Sequence, residues 1–304
     1  MDRMSAVPVV AGMLIGVGLI ARAAPRGHGP TADVRAVGSF QPVPCTEVPT
    51  TQNIVSLSSS GGFMVMETNG IPGHSIGQFP NPGNPNAIST QSHRFEIPLE
   101  PSGEGGALRR SRVGVAVNGV PLDPGTAEYY NDDRSSGWRY EALSGAINLG
   151  VDCNNAHVQP TGTYHYHGIP EGLLSGGERM ELVGYAADGY PLYARYGIGE
   201  DGVTRVMQAS YRLKSGERPS GPGGPYDGTF VQDHEYVEGL GDLDECNGRI
   251  GQTPEFGETY HYVLTDEFPF VPRCTVAAQD QSFEMRGPPP GMDGPEGRPP
   301  PPRR

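Results

Sequence analysis

The sequence predicts a mostly β protein, either an antiparallel β-sandwich or an irregular β-barrel, with long glycine- and proline-rich loops and few short helices. Three observations predict this fold class. The 304 residues include 45 glycines and 31 prolines, which are the two least favourable residues in helix interiors. Short apolar or alternating runs recur between turn-forming pairs such as Asn-Gly and Asp-Gly. The chain is 36% hydrophobic, which is enough for a packed core.

The chain divides into four segments along its length. Residues 1–23 have the pattern of a signal peptide, because an apolar stretch precedes the small-residue site Ala21-Arg22-Ala23. That stretch is shorter than the roughly 20 residues that cross a bilayer, so we expect no membrane span after signal cleavage. We expect an exported protein, periplasmic or extracellular. The remaining segments are a polar leader (24–40), a single β-rich domain (41–285) and a disordered Pro/Gly-rich tail (286–304).

The predicted strands follow one another along the domain. The clearest contains Val113, Val115 and Val117, which alternate before the Asn118-Gly119 turn. The other candidates, in chain order, are 62–67, 94–99, 181–187, 190–196, 203–213, 229–237 and 260–265. Short helices are predicted at 124–130 and at 170–174, each with a proline as its first residue.

Four widely spaced cysteines predict two disulfides, since exported chains fold under oxidising conditions. Three connectivities are possible, and the sequence does not decide among them. We favour Cys45–Cys153 with Cys246–Cys274, because both pairings link neighbouring cysteines and tie an end segment to the body of the domain.

Charge and motif content exclude several function classes. The formal net charge is −13 and Lys214 is the only lysine, so the surface repels phosphate backbones and nucleic-acid binding is not expected. The chain contains no GxSxG nucleophile motif and no phosphate-binding loop or dinucleotide fingerprint. No pattern identifies a protein or glycan partner.

The histidines form the most informative pattern. His157, His165 and His167 occur within NNAHVQPTGTYHYHGIP, and alternate residues of a strand share one face. The turn Gln159–Gly162 suits a three-residue hairpin loop, which places His157 opposite His165 and Asn155 opposite His167. Three neutral imidazoles on one face predict a transition-metal site, and copper or zinc is the expected ion. The alternative is that the tyrosines form the core and the histidines an ordinary polar surface.

Further residues are candidates for supporting this site. GETYHYVLT carries His261 within a similar Thr-Tyr-His-Tyr string, which is too short to establish a duplication. His261 or Asp188 could supply a fourth ligand if its strand lies nearby. Asn155, Asp188 and Glu245 are candidates for supporting or acid–base groups near the metal.

Four strings together resemble the YHYH-domain family over roughly residues 60–275: AHVQPTGTYHYHG, GYAADGYPLYARYG, LDECNGR and YHYVLTDEFPFVPRC. The resemblance implies an exported protein and no established activity. A more limited similarity relates the histidine string to a copper-binding strand of multicopper oxidases. The other His-x-His motifs of those enzymes are absent here, so oxidase chemistry does not follow.

Three hypotheses about function follow. The first is an exported metal-binding protein with copper or zinc on the histidine cluster. The second is a metal-dependent hydrolase or oxidase, and the sequence leaves open whether the protein is an enzyme. The third is a metal-free envelope module that binds a glycan or a protein.

Overall fold

A computed structural model describes residues 36–108 and 111–285 of the chain. The predicted signal peptide, most of the predicted leader and the predicted tail lie outside these residues. Within them the protein forms seventeen strands and five single-turn 3₁₀ helices, and none of these helices is long and apolar enough to cross a membrane.

Most of the strands are short, as the density of glycine and proline predicts. In chain order they are β1 (Val55–Ser60), β2 (Phe63–Thr68), β3 (His93–Pro98), β4 (Gly106–Ala107), β5 (Gly114–Ala116), β6 (Pro121–Leu122), β7 (Ala156–Val158), β8 (Tyr164–Tyr166), β9 (Glu181–Ala186), β10 (Pro191–Ala194), β11 (Tyr196–Ile198), β12 (Thr204–Val206), β13 (Tyr211–Leu213), β14 (His234–Tyr236), β15 (Gly248–Thr253), β16 (Gly257–Leu264) and β17 (Cys274–Thr275). The 3₁₀ helices are Tyr130–Asp132, Arg134–Ser136, Glu171–Leu173, Val231–Asp233 and Gln281–Phe283.

The largest sheet has eight strands in the order β15-β16-β10-β9-β5-β6-β8-β7. The β6–β8 and β10–β16 pairs are parallel, and its other pairs are antiparallel. Five of its seven strand pairs are therefore antiparallel, as the sequence predicted, and the two parallel pairs differ. The long connections that follow β6 and β10 explain the difference, because parallel neighbours need a crossover rather than a tight turn.

A second sheet, β1-β2-β3, packs on the first and gives the two-layer, sandwich-like architecture that the sequence predicted. Phe95 and Ile97 of β3 and Met66 of β2 meet Val115 of β5 in one buried cluster. A larger cluster fills the other side of the eight-stranded sheet and includes the fully buried rings of Tyr164, Tyr166 and Tyr262. Tyr164 and Tyr166 in this second cluster belong to β8, the strand that also carries His165.

Three local predictions were wrong, and one of them is the strand 229–237, in which the 3₁₀ helix Val231–Asp233 precedes β14. Residues 124–130 do not form a helix, because the Asp123 carboxylate accepts a hydrogen bond from the Gly125 amide and the Thr126 hydroxyl donates to the Tyr140 carbonyl. These bonds hold the backbone in turns and extended segments. The predicted strand 203–213 is instead divided into β12 and β13, which belong to different two-stranded sheets.

The disulfides connect the cysteines as favoured, Cys45 to Cys153 and Cys246 to Cys274. Each bond fixes a turn that precedes a hairpin of the large sheet, since Cys153 precedes β7 and Cys246 precedes β15. The first bond spans 108 residues and the second spans 28.

Replacing each disulfide by a pair of alanines should lower stability unequally. In the chain-entropy model the loss is about 5 kcal/mol for Cys45–Cys153 and about 3.5 kcal/mol for Cys246–Cys274, because the first closes the longer loop. Urea denaturation of the two double variants measures both losses. Thiol titration of the denatured, unreduced wild type is the control and should find no reactive thiol; a larger loss for Cys246–Cys274 would contradict the loop argument.

Candidate metal centre

The hairpin β7–β8 positions the three clustered histidines. The Gln159 amide donates to the Thr163 carbonyl at 2.9 Å, and Gly162 takes a φ of +82°. Only glycine adopts such a backbone without strain, and a Cβ at this position would also collide with Ser89. The turn sets the predicted register, in which His157 is paired with His165.

The three imidazoles lie side by side in one cluster. The ring centroids of His157, His165 and His167 lie 4.7–4.9 Å from one another. Their ligand nitrogens all lie within 4.8 Å of one another, and this is the cluster of potential metal ligands that the described residues contain. His165 and His167 are 2% and 1% exposed, and His157 is half-buried, so the cluster opens towards solvent only at His157.

Hydrogen bonds orient two of the rings. Nδ1 of His157 lies 3.0 Å from the Leu149 carbonyl, and Nδ1 of His165 lies 3.3 Å from the Thr163 carbonyl. A carbonyl oxygen accepts, so each Nδ1 carries the proton and each Nε2 keeps a lone pair. A backbone carbonyl behind the ring is the usual outer partner of a metal-binding histidine.

The closest contact in the cluster joins Nε2 of His157 and Nε2 of His167 at 3.1 Å. With metal–nitrogen bonds of about 2.0–2.1 Å, this separation corresponds to a nitrogen–metal–nitrogen angle of roughly 95–100°. That angle is within the range of a distorted four-coordinate site. Without an ion, one of these nitrogens must donate a proton to the other. Nδ1 of His167 is buried and has no hydrogen-bond partner among the described residues.

Burial keeps the cluster neutral. It lowers the pKa of His165 and of His167 well below the usual histidine value, and the neighbouring imidazoles lower both further. Burial also lowers the pKa of His157, although the Leu149 carbonyl and the charge of Glu128 act in the opposite direction. Neutral imidazole is the form that binds metals.

The tyrosines of β8 point to the opposite face and bind the hairpin to the core. The Tyr164 hydroxyl donates to Oδ2 of Asp152 at 2.7 Å. The Tyr166 hydroxyl accepts from Nδ2 of Asn118 at 2.9 Å and lies 2.6 Å from Nε2 of His74. Both tyrosines are fully buried, so the histidine side of the strand is fixed by bonds on its reverse side.

The remaining predicted site residues lie elsewhere or act differently. His261 lies on β16, which four strands separate from β8, and it is not part of the cluster. Asp188 is fully buried and accepts from the Tyr262 hydroxyl at 2.6 Å, so its carboxylate faces that tyrosine. Glu245 is exposed, and its carbonyl accepts from the Tyr211 hydroxyl. Asn155 does lie opposite His167, but its carbonyl contacts the His167 amide and its side chain donates to Ile169.

Sequence reasoning missed the residues that surround the cluster. Asp152 and His74 hold the tyrosines, the Leu149 carbonyl orients His157, and Glu128 is the carboxylate whose charge acts on it. Asp152 lies five residues before His157, and this proximity was the one signal available. The others come from distant loops and depend on the tertiary fold.

One of the sequence comparisons found a match. Residues 94–277 match the family model described as YHYH protein, and this range contains both hairpins with a Thr-Tyr-His-Tyr string. Neither a curated protein nor a solved structure matches the chain.

In the metal-free protein, acid should reduce the free energy of unfolding between pH 7 and pH 5. The folded-state pKa values of the three histidines lie below 6.5, while in the unfolded chain they titrate near 6.5. The unfolded state therefore binds more protons as the pH falls, and stability decreases. Urea denaturation at pH 7, 6 and 5 in the presence of a chelator measures this loss.

The matched comparison is the double variant His165→Ala/His167→Ala. It lacks two of the titrating groups and should lose less stability over the same pH interval than the wild type. Equal losses in the two proteins would show that these histidines are not buried as neutral groups.

Proposed function

The chain belongs to the YHYH protein family, and we propose that it is an exported protein that binds one copper or zinc ion through His157, His165 and His167. The observation that supports this most directly is the convergence of three imidazole ligand atoms within 4.8 Å. An accidental polar surface does not bury three histidines against one another, because each loses hydration without gaining an ionic partner.

The ligand set favours copper or zinc over other ions. It consists of imidazole nitrogens without a thiolate, and imidazole suits zinc and copper, whereas carboxylate and carbonyl oxygens suit magnesium and calcium. A fourth position would lie on the side of His157, which is the half-buried member of the cluster. The charge of Glu128 acts on that histidine and would favour a cation there.

Export is supported by the cysteine chemistry. All four cysteines are paired in two disulfides, which form and persist in oxidising compartments. The signal-peptide pattern of residues 1–23 points in the same direction. A periplasmic or extracellular location follows as part of the proposal.

Metal binding alone and turnover at the metal differ in whether the position beside His157 admits a substrate. A catalytic metal site keeps a position open to substrate, and here two of the three ligands are 2% exposed or less, so His157 marks the accessible side. Turnover of esters, phosphoesters or phenols by the metal-loaded protein would favour the enzyme alternative.

Purified protein loaded with zinc or copper and then desalted should retain about one ion per chain, measured by elemental analysis. The double variant His165→Ala/His167→Ala should retain none. Bound ion should raise the melting temperature of the wild type alone, because a ligand that binds only the folded state stabilises it. Competition between the two ions, followed by copper electron paramagnetic resonance, identifies the preferred one.

His261→Ala is the matched control, since His261 is also a buried histidine between two tyrosines but lies outside the cluster. This variant should bind the ion as the wild type does. If neither ion stabilises the wild type, or if the double variant binds as well as the wild type, the metal-site proposal is wrong.

A further inference from the structure

The eight-stranded sheet has the same strand order when it is read outward from its centre in either direction. From β5 the order is β5-β6-β8-β7, and from β9 it is β9-β10-β16-β15. In both directions the first two strands form an antiparallel pair, the next pairing is parallel, and an antiparallel hairpin completes the half. The antiparallel pair β5–β9 joins the halves, as an axis of two-fold pseudosymmetry requires.

The sequences at the centre of the sheet match. Residues 113–122 read VGVAVNGVPL and residues 183–192 read VGYAADGYPL, with identity at six of the ten positions. The contacts between them are reciprocal. A Cβ on Gly114 would lie 2.4 Å from the Tyr185 carbonyl oxygen, and a Cβ on Gly184 would lie 2.4 Å from that of Val115. Each strand therefore needs glycine where its partner's backbone approaches it.

The outer hairpins match in the turn that precedes them. The Asn155 amide donates to the Asp152 carbonyl at 3.0 Å, and the Asn247 amide donates to the Asp244 carbonyl at 3.0 Å. Both asparagines adopt left-handed backbone, with φ of 56° and 61°. The carbonyl oxygen of each asparagine then accepts a hydrogen bond from the amide of the residue that follows the second tyrosine. That residue is His167 in the first hairpin and Val263 in the second.

The tyrosine anchors also correspond. Tyr164 donates to Asp152 at 2.7 Å, and Tyr260 donates to Asp244 at 2.8 Å. The second tyrosine of each string bonds to the residue that begins the central turn of its own half. These pairs are Tyr166 with Asn118 and Tyr262 with Asp188.

We infer that the sheet consists of two copies of one structural unit, residues 113–167 and 183–263, and that the second copy holds a latent counterpart of the histidine site. The registers align the two sites residue by residue. His157 is paired with His165, and Arg249 is paired with His261. His261 thus corresponds to His165, while Arg249 and Val263 occupy the positions of His157 and His167.

The surroundings of His261 resemble those of a metal-binding histidine that lacks the two other histidines of the site. It is 1% exposed, and its Nε2 is buried without a hydrogen-bond partner among the described residues. Its Nδ1 lies 3.2 Å from the Thr259 carbonyl, as Nδ1 of His165 lies 3.3 Å from Thr163. The Tyr193 ring contacts its edge at 5.7 Å, and the paired Arg249 reaches Sδ of Met207. His261 therefore has an aromatic ring and a paired arginine as neighbours in place of two further imidazoles.

The inference rests on the proposed function, because its test measures bound metal. In the full chain, histidines are introduced at the two positions of the second hairpin that lack them. The variant Arg249→His/Val263→His should bind about twice as much zinc or copper per chain as the wild type, since its second hairpin would then present three imidazoles at the same register. Adding His261→Ala should remove the extra ion and leave the original one. A folded variant that retains the wild-type stoichiometry overturns the latent site.

A reciprocal exchange tests the equivalence of the copies without relying on a second ion. His157→Arg/His167→Val gives the first hairpin the residues that the second already carries at these positions. This variant should fold with a cooperative melting transition, with the far-ultraviolet circular dichroism of the wild type, and bind no ion. Failure to fold overturns the equivalence. If the wild type itself binds no ion, the proposed function is wrong, while folding of this exchange still decides whether the two copies are equivalent.

Discussion

The hydrogen bond from the Tyr164 hydroxyl to the buried Asp152 carboxylate is the interaction on which the histidine site depends. A carboxylate with no exposed surface is costly unless its oxygens are fully bonded, and Asp152 accepts from Tyr164 and from the amides of Gly77, Asn154 and Ala156. The bond fixes the tyrosine face of β8 in the core. Because side chains alternate along a strand, fixing that face places His165 and His167 together on the other.

Each of the three buried imidazoles needs hydrogen-bond partners for its ring nitrogens, and the described residues supply only some of them. Carbonyl oxygens satisfy Nδ1 of His157 and His165, but Nε2 of His157 and Nε2 of His167 share a single proton, and Nδ1 of His167 has no partner among the described residues. A shared cation would replace that proton and bind a lone pair on each ring. The same burial that disfavours the protonated rings would thus favour a metal ion over protons at neutral pH.

The sequence predicted the parts of this site that depend on local chemistry. Proline at the second position and glycine at the fourth position of Gln159–Gly162 define the turn, and strand alternation then places the three histidines. The position of His261 outside the cluster was not predictable, because a strand's position in a sheet depends on contacts far apart in the chain. The same limit hid Leu149, which lies eight residues from His157 and meets it only through the fold. Where a local hydrogen bond competed with a proline signal, as at Asp123 and Gly125, the predicted helix was wrong.

The second half of the sheet separates the features that the backbone needs from those that only the proposed ion would need. Anchoring tyrosines, turn asparagines and the carboxylates that accept from the tyrosines recur at both ends, so they are needed to hold a hairpin of this shape at the edge of the sheet. Two of the three histidines do not recur, and the hairpin with Arg249 and Val263 keeps the same register. Histidines at those positions are therefore not required by the fold. A side chain that the fold does not require, but that is buried at one end of the sheet beside two others of its kind, is best explained by a bound ligand.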